Sequence, residues 1–67
     1  MLSARNQFKG KIKSVKLGNV MAEVVVVINN LEIVSAITRA SAEQLALKAG
    51  DDVTAIIKST EVMVAKD

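Results

Sequence analysis

Apolar and polar positions alternate with a period of two over most of this chain, the mark of half-buried β-strands. Phe8, Gly10 and Ile12 fall on one side, and Lys9, Lys11 and Lys13 on the other. The apolar phase then flips to Val15 and Leu17, which predicts a bulge or sharp bend between Lys13 and Val15. Gly18-Asn19 marks a turn. Residues 20–28 are β-branched almost throughout, and the unbroken apolar run 24–28 predicts burial on both faces. Asn29-Asn30 reads as a two-residue hairpin turn, because asparagine tolerates the left-handed conformation such turns need. Residues 31–38 form the returning strand.

After residue 38 the period changes. Ser41, Ala42, Glu43 and Gln44 fit a capping box, with Ser41 as N-cap and Gln44 reaching back. Ala42, Leu45 and Ala49 share a face of a short helix flanked by Leu47, and Gly50 is the expected C-terminal stop. Asp51-Asp52 reads as a turn, residues 53–58 as a strand, Ser59-Thr60 as an interruption and residues 62–65 as a last short strand. The order β-β-β-α-β-β describes an all-β fold: a five-stranded OB-like barrel with one short helix between strands three and four. With 67 residues, no proline and three glycines, the chain holds one domain, residues 1–67, and no flexible linker.

Composition changes the picture at one point, the size of the core. A domain of about 60 residues buries only about 60% of its unfolded surface and generally needs a staple. The sequence has no cysteine for a disulfide, and with no histidine either it lacks soft or imidazole zinc ligands. Self-association is the staple that remains. A hydrophobic content of 51% and a mean hydropathy of +0.35 supply apolar surface to bury between subunits, so a homo-oligomer is expected.

Charge is informative through its placement. The net charge of +2 is too small to imply nucleic acid by itself, but Arg5, Lys9, Lys11, Lys13 and Lys16 all precede the first acid, Glu23. The lysines fit two readings, a guarded strand edge or a mildly positive field for an anion. The one aromatic residue, Phe8, lies on an apolar strand face, where core packing explains it better than base stacking. The longest apolar run is too short to span a membrane, and Leu2 is followed at once by polar residues, leaving no secretory h-region. A cytoplasmic protein with neither a nucleic-acid nor a membrane partner is expected.

Catalysis finds no candidate residues. Histidine, cysteine and tyrosine are missing, and Glu23, Glu32, Glu43, Asp51, Asp52 and Glu61 fall on turns, at the helix start or on outward positions. Lys58 has no partner that would make it a catalytic lysine, and the scattered acids do not form a hard-cation site. What remains is three groups of hydrogen-bond donors at strand ends: Ser3, Arg5 and Asn6; Thr38, Arg39 and Ser41; and Lys58, Ser59 and Thr60. A small oxyanion, all of whose oxygens accept, needs such a shell of hydroxyls, amides and one or two cations. The same residues equally fit plain structural duties: Thr38 and Ser41 as caps, Ser59-Thr60 as a turn, Arg5 as a surface charge.

The opening SARNQFKGKI, the middle AITRASAEQLALKAGDDVTAIIKST and the closing EVMV resemble the molbindin family, small cytoplasmic molybdate-binding proteins built from one Mop unit and related to TOBE domains. The resemblance covers essentially the whole chain, and the combination of SARN with IKST is its most specific part. It implies an OB-like barrel that assembles as a hexamer, a trimer of dimers, with molybdate or tungstate held between subunits for storage or homeostasis. Carried over by position, it implies an oxyanion site of Ser3, Ala4, Arg5, Thr38, Lys58 and Ser59. Asn6 belongs to the motif as a ligand or a local brace, and Thr60 completes IKST. No catalytic cofactor and no protein-bound metal are implied. Two other readings stay open: an OB-like interaction module for protein or nucleic acid, and a molybdopterin carrier, against which the single Phe8 argues.

Overall fold

In the computed structural model, which describes residues 5–66, the chain forms one antiparallel sheet and one short helix. The strands are β1 (Asn6–Leu17), β2 (Met21–Ile28), β3 (Leu31–Thr38) and β4 (Asp52–Ile57), in the order β3-β2-β1-β4. Helix α1 (Arg39–Gln44) lies between β3 and β4, and a 3-10 turn over Ser59–Glu61 follows β4. This is the all-β, OB-like architecture that the alternation predicts.

The long strand β1 makes the architecture possible by serving two partners. Its first half pairs with β4, from Asn6 opposite Ile57 to Lys11 opposite Asp52. Its second half pairs with β2, from Lys11 opposite Val27 to Leu17 opposite Ala22. Between the halves the register slips at Ile12/Ser14, the predicted bulge. The loop before β4 fastens this bend: the Gly50 amide donates to the Ile12 carbonyl (2.8 Å) and the Ile12 amide to the Asp51 carbonyl (3.0 Å). Gly50 adopts φ 92 to reach that position, a conformation that costs glycine little. At Gly10 a Cβ would run into the Val27 carbonyl oxygen and the Ile28 side chain, so only hydrogen lets β1 lie this close to β2.

The Asn29-Asn30 turn forms as expected, with Ile28 opposite Leu31 and Asn29 at φ 55. The helix differs from expectation at both ends. Its N-cap is Thr38, not Ser41: Thr38 is extended (φ −70, ψ 148), and its Oγ1 accepts from the Ser41 amide at 3.1 Å. The ladder hands over directly to the helix here, because the Arg39 amide still donates to the Val20 carbonyl (2.7 Å). The helix ends at Leu45, before Gly50. There the Ala46 amide donates to the Glu43 carbonyl and the Leu47 amide to the Ala42 carbonyl, a Schellman closure with Ala46 at φ 53. The expected face of Ala42, Leu45 and Ala49 reduces to Ala42, which is buried; Leu45 is exposed and Leu47 turns inward in its place.

The core is thin. Ile12, Ala22, Val24, Val26 and Ala42 are buried, with Val15, Ile28, Ile37, Leu47, Val53 and Ala55 packed partly against the central cluster. In β2 Ala22, Val24 and Val26 are buried while Val25, Val27 and Ile28 are half-covered, so burial on both faces is incomplete. Phe8 stays 41% exposed and does not enter this core. Lys11 pairs with Asp52 (2.7 Å) and Lys13 with Glu32 (2.8 Å), which favours the guarded-edge reading for these two lysines.

The fifth strand, expected at residues 62–65, forms no ladder among the described residues. After the 3-10 turn the chain continues extended at Val62, and Val62, Met63 and Val64 are exposed. An apolar strand pattern that pairs with neither sheet edge, β3 or β4, among the described residues is the physical content of this difference.

Two substitutions check the backbone account. Ala46→Gly relieves a left-handed alanine and raises unfolding stability by about 0.5–1 kcal/mol in chemical denaturation. Gly10→Ala forces β1 away from β2 and lowers stability by about 1–3 kcal/mol in the same measurement.

Candidate functional site

The register brings two of the three donor groups to one end of the sheet. Asn6 begins β1 and Ile57 ends β4, directly opposite each other. Arg5 precedes the one and Lys58 follows the other, so antiparallel pairing carries both cations to the same ladder end. Both are exposed, and among the described residues neither forms an ion pair. Lys58 is extended (φ −64, ψ 140), and the 3-10 turn starts at Ser59. In that turn the Glu61 amide donates to the Lys58 carbonyl (2.9 Å) and the Val62 amide to the Ser59 carbonyl (3.4 Å). The N–H groups of Ser59 and Thr60 open the turn and are not used by its own hydrogen bonds. The end therefore offers two cations, two hydroxyls and two backbone donors.

Asn6 is a brace here. Its half-buried side-chain amide donates from Nδ2 to the Ile57 carbonyl at 3.2 Å, tying together segments 51 residues apart. Ser3 and Ala4 lie outside the described residues.

The third group sits elsewhere. Thr38 pairs with Met21, at the Leu17 end of β1, whereas Lys58 follows the Asn6 end. Thr38 also spends its hydroxyl locally, donating to Ser41 Oγ at 2.8 Å while accepting from the Ser41 amide. Arg39 donates from Nη1 to the Gly18 carbonyl (3.2 Å) and from Nε to Glu43 (3.3 Å), fastening the β1–β2 turn to the helix. In a single chain the strand ladders thus gather Arg5, Asn6, Lys58, Ser59 and Thr60, and leave Thr38 at the other end.

Sequence reasoning missed an apolar groove of about 680 Å³. Residues of both sheet edges line it, among them Ile33 of β3 and Val53 and Ile57 of β4, with Val24 and Val26 at its base and Lys58 and Glu61 on its wall. The available signal was a hydrophobic content, 51%, larger than so short a chain buries in its own core. Among the described residues no group of His, Cys, Asp and Glu is arranged to hold a metal ion, and no helix is long and apolar enough to cross a membrane.

Known proteins share this architecture throughout. The TOBE domain model matches residues 2–64. Molybdenum-pterin-binding protein 3 of Clostridium pasteurianum is 50% identical over 64 residues, spanning 94% of each chain. Among solved structures, a molybdate-binding protein from Sporomusa ovata superposes with a TM-score of 0.94 at 41% identity, covering 98% of both chains. The cytoplasmic molybdate-binding protein ModG, solved with molybdate bound, superposes with a TM-score of 0.84 at 39% identity, over 87% of this chain and 42% of its own. The names of these relatives are those of binding proteins, for molybdenum-pterin in the first and molybdate in the other two. The shared sheet, the matched length and the identity to these relatives place this chain in the TOBE-domain family, within its molbindin (Mop) branch.

Proposed function

We propose that this protein reversibly binds molybdate, or tungstate, through hydrogen bonds to the oxo groups, at sites between copies of the chain. The observation that carries this reading is the meeting of Arg5 and Lys58, both without ion-pair partners among the described residues, beside the open N–H groups of Ser59 and Thr60. A tetrahedral dianion presents four oxygens that only accept, and hydrogen bonds to charged groups contribute about 1.5–3 kcal/mol each. Protonated phosphate brings an O–H that needs an acceptor. Sulfate has the right charge and a smaller radius, so its rejection rests on the span between the donors. The names of the relatives supply the anion, molybdate.

Self-association is part of the same reading. The chain exposes 5674 Å², whereas a compact monomer of this mass exposes about 4,100 Å². The excess is larger than the ~800 Å² that each partner buries in a standard interface. Leu17, Val20 and Met21 are exposed at one end and Met63 and Val64 in the tail, while β3 and β4 keep free edges beside the apolar groove. Further copies cover these surfaces, the tail 62–65 finding on another copy the pairing it does not make among the described residues of its own. A hexamer built as a trimer of dimers lets the Thr38 end of one copy approach the Arg5–Lys58 end of another and complete the donor shell. A cytoplasmic unit of this kind suits storage or homeostasis of the anion.

Calorimetric titration with molybdate, tungstate, sulfate and phosphate, with native mass measured in parallel, tests the reading. Heat with the first two alone is expected. Lys58→Ala weakens molybdate binding at least tenfold, whereas Lys13→Ala, mid-sheet and paired with Glu32, changes it less than twofold. Unchanged affinity in Lys58→Ala removes the role assigned to that lysine. Heat with a pterin and none with any oxyanion replaces the reading by a pterin carrier, and no heat with either favours an interaction module.

Native mass gives an independent expectation. Wild type runs as an oligomer, and molybdate at a hundredfold excess over its dissociation constant stabilises it by about 2.7 kcal/mol. A chain ending at Glu61 shifts toward monomer.

A further inference from the structure

We infer that Asn6 is the positioning residue of the oxyanion site, acting on Lys58 through the Ile57 carbonyl; this rests on the molybdate-binding reading above. Edge strand β4 is bonded to the sheet on one side only, through β1. Its pairing ends at Asn6–Ile57, and the next residue is Lys58. Among the described residues the ladder supplies nothing beyond that pair to hold the lysine: Lys58 is exposed and extended, and its side chain makes no cap to the following turn. Ladder ends fray, and fraying here would move Lys58 and Ser59 relative to Arg5.

The Asn6 amide opposes that motion. It is half-buried, and it donates at 3.2 Å to the last carbonyl of the β4 ladder, across 51 residues of sequence. Asparagine is a poor strand former, so a β-branched residue would serve the strand better at this position. What asparagine adds is a short, stiff donor that clamps the two arms where they diverge toward Arg5 and toward Lys58. The span between these arms is what separates a larger tetrahedral dianion from a smaller one, so the clamp bears on selectivity as well as on affinity.

A double-mutant cycle on the full chain tests this with molybdate as the probe. Asn6→Ala is expected to weaken molybdate binding about tenfold in the wild-type background and less than twofold in the Lys58→Ala background, because the brace has no lysine left to place. Amide NMR shifts should concentrate at residues 57–61 and spare Val24 and Val26 in the core. Competition with sulfate should show a lower molybdate preference in Asn6→Ala. Losses that multiply across the two substitutions overturn the inference by making Asn6 a direct ligand. Loss of assembly or of core signals in Asn6→Ala overturns it by making Asn6 a fold residue. Tight wild-type binding with unchanged affinity in Asn6→Ala also overturns it while leaving the molybdate reading standing. Absence of binding by wild type removes both.

Discussion

The bend in β1 is the constraint on which the rest of the structure depends. One strand can pair with β4 along its first half and β2 along its second only if its direction changes between them, and the slip at Ile12/Ser14 makes that change. A bulge leaves backbone groups outside the regular ladder, and buried backbone groups left unpaired are costly. The loop 48–51 answers that cost by bonding both the amide and the carbonyl of Ile12. The same residue carries a buried side chain in the core cluster, so curvature, loop closure and packing meet at one position. Without the bend, β4 would not be delivered to the Asn6 end of β1, and Lys58 would not lie beside Arg5.

The small core and the proposed binding site belong to one reading. Five buried residues among those described are few for a domain, and none of the described large side chains is fully buried. Such a chain leaves apolar surface uncovered: the groove between its free edges and the tail with its unpaired strand pattern. In the proposed reading, an anion held between copies would link ligand occupancy to assembly, since each ligand would join surfaces that the chain cannot bury alone. The division of the donors follows the same logic. Arg5, Lys58 and Ser59 are gathered by one ladder end, while Thr38 is stationed at the other, already occupied as the cap of α1.

Much of this was legible in the residues, for local reasons. The phase flip after Lys13 announced the bulge, because side chains alternate strictly on a strand and one extra residue inverts the faces. Asn29-Asn30 announced the hairpin, because few residues other than glycine tolerate φ near 55. The SARN and IKST segments marked the candidate site end by resemblance, and the antiparallel register set Asn6 of the one opposite Ile57 of the other. Less was legible at the helix. Thr38 and Ser41 both carry a hydroxyl suited to capping, and Gln44 made Ser41 look complete. The choice fell to Thr38 because the Arg39–Val20 hydrogen bond keeps the ladder intact up to that residue and α1 begins at once.

By itself the sequence determined four of its five expected strands, the Asn29-Asn30 turn and the shortage of core, all of which depend on neighbouring residues or on total composition. Tertiary structure decided which ends meet. Asn6 and Ile57 are 51 residues apart and become partners only through the β1–β4 register, and the Asn6 amide finds the Ile57 carbonyl only there. It also decided that residues 62–65, with a strand's alternation, remain unpaired. A strand pattern states which side chains share a face; whether an edge lies within hydrogen-bonding reach depends on where the preceding turn directs the chain, and that is a property of the folded whole.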